Sequence, residues 1–115
     1  MLSGESRFGE LEVPFNEQLI LEGTEVRLSK AYASPSVQYN EMAAGAEFTW
    51  HPALARQIVT ILSGVLEVET SDNQTRRWSA GEQFFPDDLT GKGHVARAIG
   101  GPVQVFVVKV PEGLD

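Results

Sequence analysis

The chain reads as an all-β fold, a small antiparallel sandwich or barrel, and three observations predict it. Short β-branched and aromatic runs follow one another from Ile58 to Phe85, separated by Ser63-Gly64, Ser71-Asp72-Asn73-Gln74, Ala80-Gly81 and Pro86. Turn signals about every 8–12 residues mark short strands joined by tight connections. No stretch carries the i, i+3, i+4 apolar spacing of an amphipathic helix. Finally, 115 residues at 42 % hydrophobic and 22 % charged suffice for one core, and a second domain has no room.

Residues 1–30 read as an N-terminal arm and first strands of the same domain, with Leu19-Ile20-Leu21 and Glu25-Val26-Arg27-Leu28 as the strand segments. Residues 31–115 form the barrel proper. Ala31-Tyr32-Ala33, a turn at Ser34-Pro35-Ser36 and Val37 to Met42 predict strand, turn and strand. Ile58 to Leu62 and Val65 to Thr70 predict two strands around Ser63-Gly64, then Thr75 to Trp78 and Gln83 to Phe85 come next. Val103 to Val110 is the last strand, closed by Pro111. Ile58, Val59, Ile61 and Leu62 are apolar on both alternating faces, as are Val105 to Val108. A solvated antiparallel strand is polar on one face, so a second surface must cover these strands. The remainder of the domain or a homodimer interface would each do so.

Bulk properties remove several function classes. A formal charge of −7 repels phosphate backbones and anionic bilayers, which argues against nucleic-acid and membrane partners. With no cysteine, disulfides, thiolate metal sites and thiol nucleophiles are excluded. The first residues lack a basic stretch followed by an apolar one, so the expected location is cytoplasmic.

The segment from Gly45 through Phe48-Thr49-Trp50-His51-Pro52-Ala53 to Arg56-Gln57, and on to Gly64, carries the chemistry. It resembles the first motif of the cupin family, with Gly45, His51 and Gly64 on matching positions. Gly81 to Pro86, with Thr90-Gly91-Lys92-Gly93-His94 after it, resembles the second motif, with His94 as its histidine. The resemblance covers Gly45 to Val110 and implies a jelly-roll barrel, the double-stranded β-helix, with an internal pocket. Metal-holding cupins use three imidazoles and a carboxylate. Here Ala53 replaces the second histidine and Gln57 the glutamate.

Those departures decide what the resemblance implies for the site. His51, Gln57 and His94 are the residues that would hold a divalent metal, weakly, because an amide brings no negative charge. Asp87 or Asp88 would have to supply the missing charge. Without metal, His51 and His94 would serve as a catalytic acid/base pair, since imidazole is the side chain that exchanges protons near neutral pH. Ala53 leaves space for an organic ligand, and Trp50, Arg56 and Lys92 are candidate wall or rim residues, Arg56 able to clamp a carboxylate. Trp50 and Trp78, with Phe48, Phe84, Phe85 and Phe106, read as core packing rather than substrate stackers. Three functions stay open at this level: a lyase, isomerase or cyclase, a non-catalytic small-molecule sensor, and a dimerisation module.

Overall fold

The structure is a computed structural model that describes residues 7–10, 12–51, 56–86 and 92–110, with the backbone alone at 49–51. Every regular element among them is a strand: β1 (Glu17–Leu21), β2 (Thr24–Leu28), β3 (Val37–Met42), β4 (Glu47–His51), β5 (Gln57–Thr70), β6 (Thr75–Trp78), β7 (Gln83–Phe84) and β8 (His94–Lys109). No helix long and apolar enough to cross a membrane occurs among the described residues. All pairings are antiparallel. β1 and β2 form a sheet of their own. Their two-residue turn sets both Glu22 and Gly23 at positive φ, 50° and 78°, as a turn whose twist matches the flanking strands requires.

The long strands β5 and β8 pair along their whole length and organise the rest. One half of the pair is flanked by β3 and β7, the other by β4 and β6. The predicted strands 58–62 and 65–70 are therefore one bent strand, and the last strand starts at His94 rather than Val103. Ala31-Tyr32-Ala33 forms no strand.

The bend explains the burial pattern. β5 buries Val59 and Ile61 before Gly64, then Leu66, Val68 and Thr70 after it, a change from odd to even positions. On β8 the members of the core cluster likewise change phase, from Ala98 to Val103, Val105 and Val107, and Val95 is buried outside that cluster. Between the pairs Ile61–Val105 and Val65–Ile99, four steps on β5 face six on β8, and Gly100-Gly101-Pro102 takes up the excess. A one-residue change of phase sends a strand's side chains to its other face. Here it keeps both halves aimed inward, because side chains from the two halves form one apolar cluster. Ile61 and Val103 are wholly buried beside the bend, each contributing about 1.5–3 kcal/mol through loss of contact with water.

The outward side of the β4-β8-β5-β6 half carries a band of charge, with Val65, Val95 and Ile99 on the same side. Glu47, Arg97, Glu67 and Arg77 are successive cross-strand partners, an alternating ladder over four strands. Arg97 reaches Glu67 at 3.1 Å and Glu69 at 2.8 Å and also pairs with Glu47, while Arg77 meets Glu67 at 2.8 Å. The Arg77 hydrogen bond, reinforced by Arg97, holds the Glu67 carboxyl below its usual acidity range. A depressed carboxylate value stabilises the fold above the unfolded-state pKa of about 4.3 and loses that contribution as pH falls through the folded value. Glu67→Gln is accordingly expected to cost about 1 kcal/mol at neutral pH and low salt. Thermal melts should show the difference shrinking as pH falls below the unfolded-state value and through the lower folded one, where the wild-type carboxyl is protonated as well.

Candidate functional site

Three strands bring polar residues into one row at the end of the sandwich away from the bend. His51 on β4 is the direct cross-strand partner of His94 on β8, and His94 is the partner of Thr70 on β5. The histidine pairing depends on an irregularity in β4. From Phe48 to His51 three steps oppose only two on β8, from Ala96 to His94. Such a bulge adds one residue, re-aims the side chains beyond it, and is frequent beside functional sites. A regular β4 would not set His51 opposite His94.

His94 is 9 % exposed and Thr70 5 %, the two buried polar residues of the described chain. Gly93, buried and at φ 74°, turns the chain into β8 just before His94. The Thr70 hydroxyl is directed at the Asp72 carboxylate, with the Gln74 carbonyl also within 3.3 Å. The β5–β6 turn, with Asn73 at φ 66°, thus fixes that end of the row. Next to His94, the inner positions of β8 are Ala96 and Ala98, whereas the other half has Val103, Val105 and Val107. The wall beside the histidine is built from the smaller side chains.

The other predicted residues fall in varied places. Gln57 is half-buried on the β5 face that carries Val59 and Ile61. It is the third inner position before the bend, as Thr70 is the third after it. The Arg56 guanidinium lies over the Phe85 ring at 5.3 Å, a cation–π contact. Lys92 is exposed just ahead of Gly93. Trp50 belongs to β4 by its backbone, while Ala53, Asp87 and Asp88 lie outside the described residues.

Some aromatic readings change. Trp78 and Phe84 stack at 4.8 Å against the core, joined by Phe8 of the N-terminal arm at 5.9 Å. Phe48 is 51 % exposed, so it is not core; it sits on β4, which flanks the long pair beside β8. Phe106 pairs with Tyr39 on the outer face instead of filling the interior. Motif spacing does not single out Thr70. Its only signal is its place as the last residue of an alternating run directly before a turn.

Among the described residues no group of three or more His, Asp or Glu side chains is disposed to hold a metal ion. The residue types in the row are two histidines and Thr70, whose hydroxyl engages the Asp72 carboxylate, while Gln57 lies on the other side of the bend along β5. That set does not fit the usual cage of three imidazoles and a carboxylate, so no metal-dependent step is assigned to these residues.

The bent β5–β8 pair, its flanking strands and the single inner cluster define an all-β jelly roll of the cupin type. Solved structures with the same fold agree. The DMSP lyase DddQ from Ruegeria pomeroyi is similar at 25 % identity and TM-score 0.56, over 86 % of this chain and 47 % of that one. The cupin domain of Schizosaccharomyces pombe Cnp3 is similar at 20 % identity and TM-score 0.50, over 82 % of this chain and 85 % of that one. Drosophila melanogaster CENP-C, in a complex with CAL1, matches at 11 % identity and TM-score 0.54, over 81 % and 74 % of the two chains. The chain spans about half the length of the lyase. No protein-family model matches the sequence, and no curated protein does.

Proposed function

We propose that this is a small cupin that binds a small organic molecule at the His51–His94 row and acts on it by proton transfer, as a lyase, isomerase or cyclase. The observation that carries the reading is the register itself: a buried histidine directly opposite the chain's only other histidine, reached through a bulge. Direct cross-strand partners have Cβ atoms about 4.5–5.5 Å apart, a separation at which two side chains can address one ligand. Ala96 and Ala98 beside His94 favour a ligand-sized space over a filled interior. The likeness to a lyase supports elimination in particular. In such a step one neutral imidazole takes a proton from carbon, the electron pair forms the new double bond, and the leaving group departs with its bonding electrons. The second imidazole, protonated, stabilises or protonates that group.

A non-catalytic sensor is the second reading, favoured by the side chains at two motif positions, Ala53 and Gln57. One screen separates the two. A panel of small organic acids and their esters is tested for thermal stabilisation of the protein and, for each compound that binds, for product formation. Binding with turnover is the expected result. Binding without turnover selects the sensor, and no stabilisation by any compound would overturn both readings.

A further inference from the structure

Beside the histidine row lies a second row of inner positions, and it ends on a cation. One step along the same face from His51, His94 and Thr70, the register aligns Phe48 on β4, Ala96 on β8, Val68 on β5 and Arg76 on β6. Successive side chains of a strand point to opposite faces, so the adjacent arginines of β6 separate. Arg77 joins the outer ladder, where Glu67 meets it at 2.8 Å. Arg76 takes the inner face with Trp78, whose ring stacks on Phe84 against the core.

We propose, resting on the reading of the histidine row as a ligand site, that Arg76 binds the carboxylate of the molecule taken there. That molecule is then a small carboxylic acid, its short apolar or unsaturated body lying over Ala96 and Val68. Three features argue for this class of ligand. The first is charge. A chain of net charge −7 repels an anion at long range, so an anionic ligand needs a local cation. Arg97 and Arg77 are already engaged by Glu47, Glu67 and Glu69 on the outer side. Past the bend, the described inner positions of β4, β8, β5 and β6 hold no Asp or Glu. The Asp72 carboxylate, in the turn between β5 and β6, is engaged by the Thr70 hydroxyl. Among the described residues, therefore, no carboxylate pairs with Arg76.

The second is the state of the guanidinium. It lies over the Phe8 ring, 4.7 Å from the centroid, and Phe8 also packs on Trp78. A ring under a guanidinium brings no charge to neutralise it and does not use up its N–H donors. The fork that takes a carboxylate by two hydrogen bonds stays open.

The third is distance. From β6 to β8 is two strand spacings, about 10 Å, and the histidine row lies about 6.8 Å further along the strands. The Arg76 side chain covers much of that gap, so a carboxylate on Arg76 sets a carbon a few bonds away beside His94. Between them stand only the small side chains of Ala96 and Val68, and Phe48, half exposed at the far end of the row, gives the ligand's body an aromatic wall.

Four acids, acrylate, crotonate, benzoate and phenylacetate, test the proposal when each is titrated beside its methyl ester, which keeps the body and removes the charge. The wild-type chain should bind acids about 10–100-fold more tightly than esters, the worth of hydrogen bonds to a charged group. Arg76 is exposed on an edge strand, so Arg76→Gln should keep the ligand-free melting temperature while binding acid and ester alike. Arg76→Lys, which keeps the charge and loses the fork, should fall between the two. Equal binding of acids and esters by the wild type would overturn the role of Arg76 and leave the ligand site standing. So would an acid preference that persists in Arg76→Gln. Binding of none of the eight compounds would overturn it as well, since these are the short apolar carboxylates that the row fits, and the wider screen above then decides whether the site itself stands.

Discussion

Gly64→Ala is expected to destabilise the fold by about 3 kcal/mol or more, a large share of the roughly 5–15 kcal/mol by which a domain is stable. Two costs combine. Gly64 sits at φ 84°, where an L side chain adds about 1–2 kcal/mol of strain. A Cβ there would also stand 2.4 Å from the Pro102 carbonyl oxygen and 3.0 Å from Val103 Cα. Both are backbone atoms, so relief requires moving β8 at the point where both long strands bend around Ile61 and Val103. Gly100→Ala is the control. It shares the positive φ, at 82°, but nothing lies within 4 Å of its Cβ, so the strain of about 1 kcal/mol stands alone. Denaturant midpoints of the two variants separate the effects. Equal, small losses would mean that β5 and β8 do not approach so closely at the bend.

His94→Gln carries the second large effect. The amide keeps hydrogen-bonding capacity in a buried position but cannot exchange protons near neutral pH, so turnover of any substrate found in the screen should fall by about 10²–10⁴-fold. The fold should survive, because Gln retains a polar partner for its buried surroundings, whereas His94→Ala would also open a cavity between Thr70 and Ala96. Melting curves alongside kinetics distinguish lost chemistry from lost structure. Retained turnover in a folded His94→Gln variant would remove His94 from the reaction.

How far the sequence leads can be judged residue by residue. Strands β2, β3 and β6 are legible because β-branched and aromatic runs end at strong turn formers. The histidines are legible through the spacing from Gly45 to His51 and Gly64 and through Gly93-His94, and the positive φ at Gly45, Gly64 and Gly93 gives those glycines a backbone reason. The join across Ser63-Gly64 is not legible. A glycine at positive φ serves a tight turn or a bend in a continuous strand equally well, and only the long-range pairing with β8 decides. The bulge between Phe48 and His51 has no local signature either, since it is defined by the partner strand. For the same reason Thr70 joins the row only through register. Residue type alone assigns Phe48 and Phe106 to the core, and position in the sheet puts them elsewhere.

The two apolar faces of Ile58 to Leu62 and of Val105 to Val108 are visible from alternation alone. One face of each strand is the inner cluster; the other is the outer face that carries Ile58, Phe106 and Val108. Composition cannot say which residues are which, because the phase reverses at the bend.

Because the chain has only two histidines, their ring protons give an unambiguous pair of signals in a proton NMR spectrum. A nuclear Overhauser cross-peak between the His51 and His94 rings, reporting a separation of about 5 Å, is the result expected if one site uses both. Two rings that each show contacts only to separate surroundings, with no cross-peak between them, would refute a shared site.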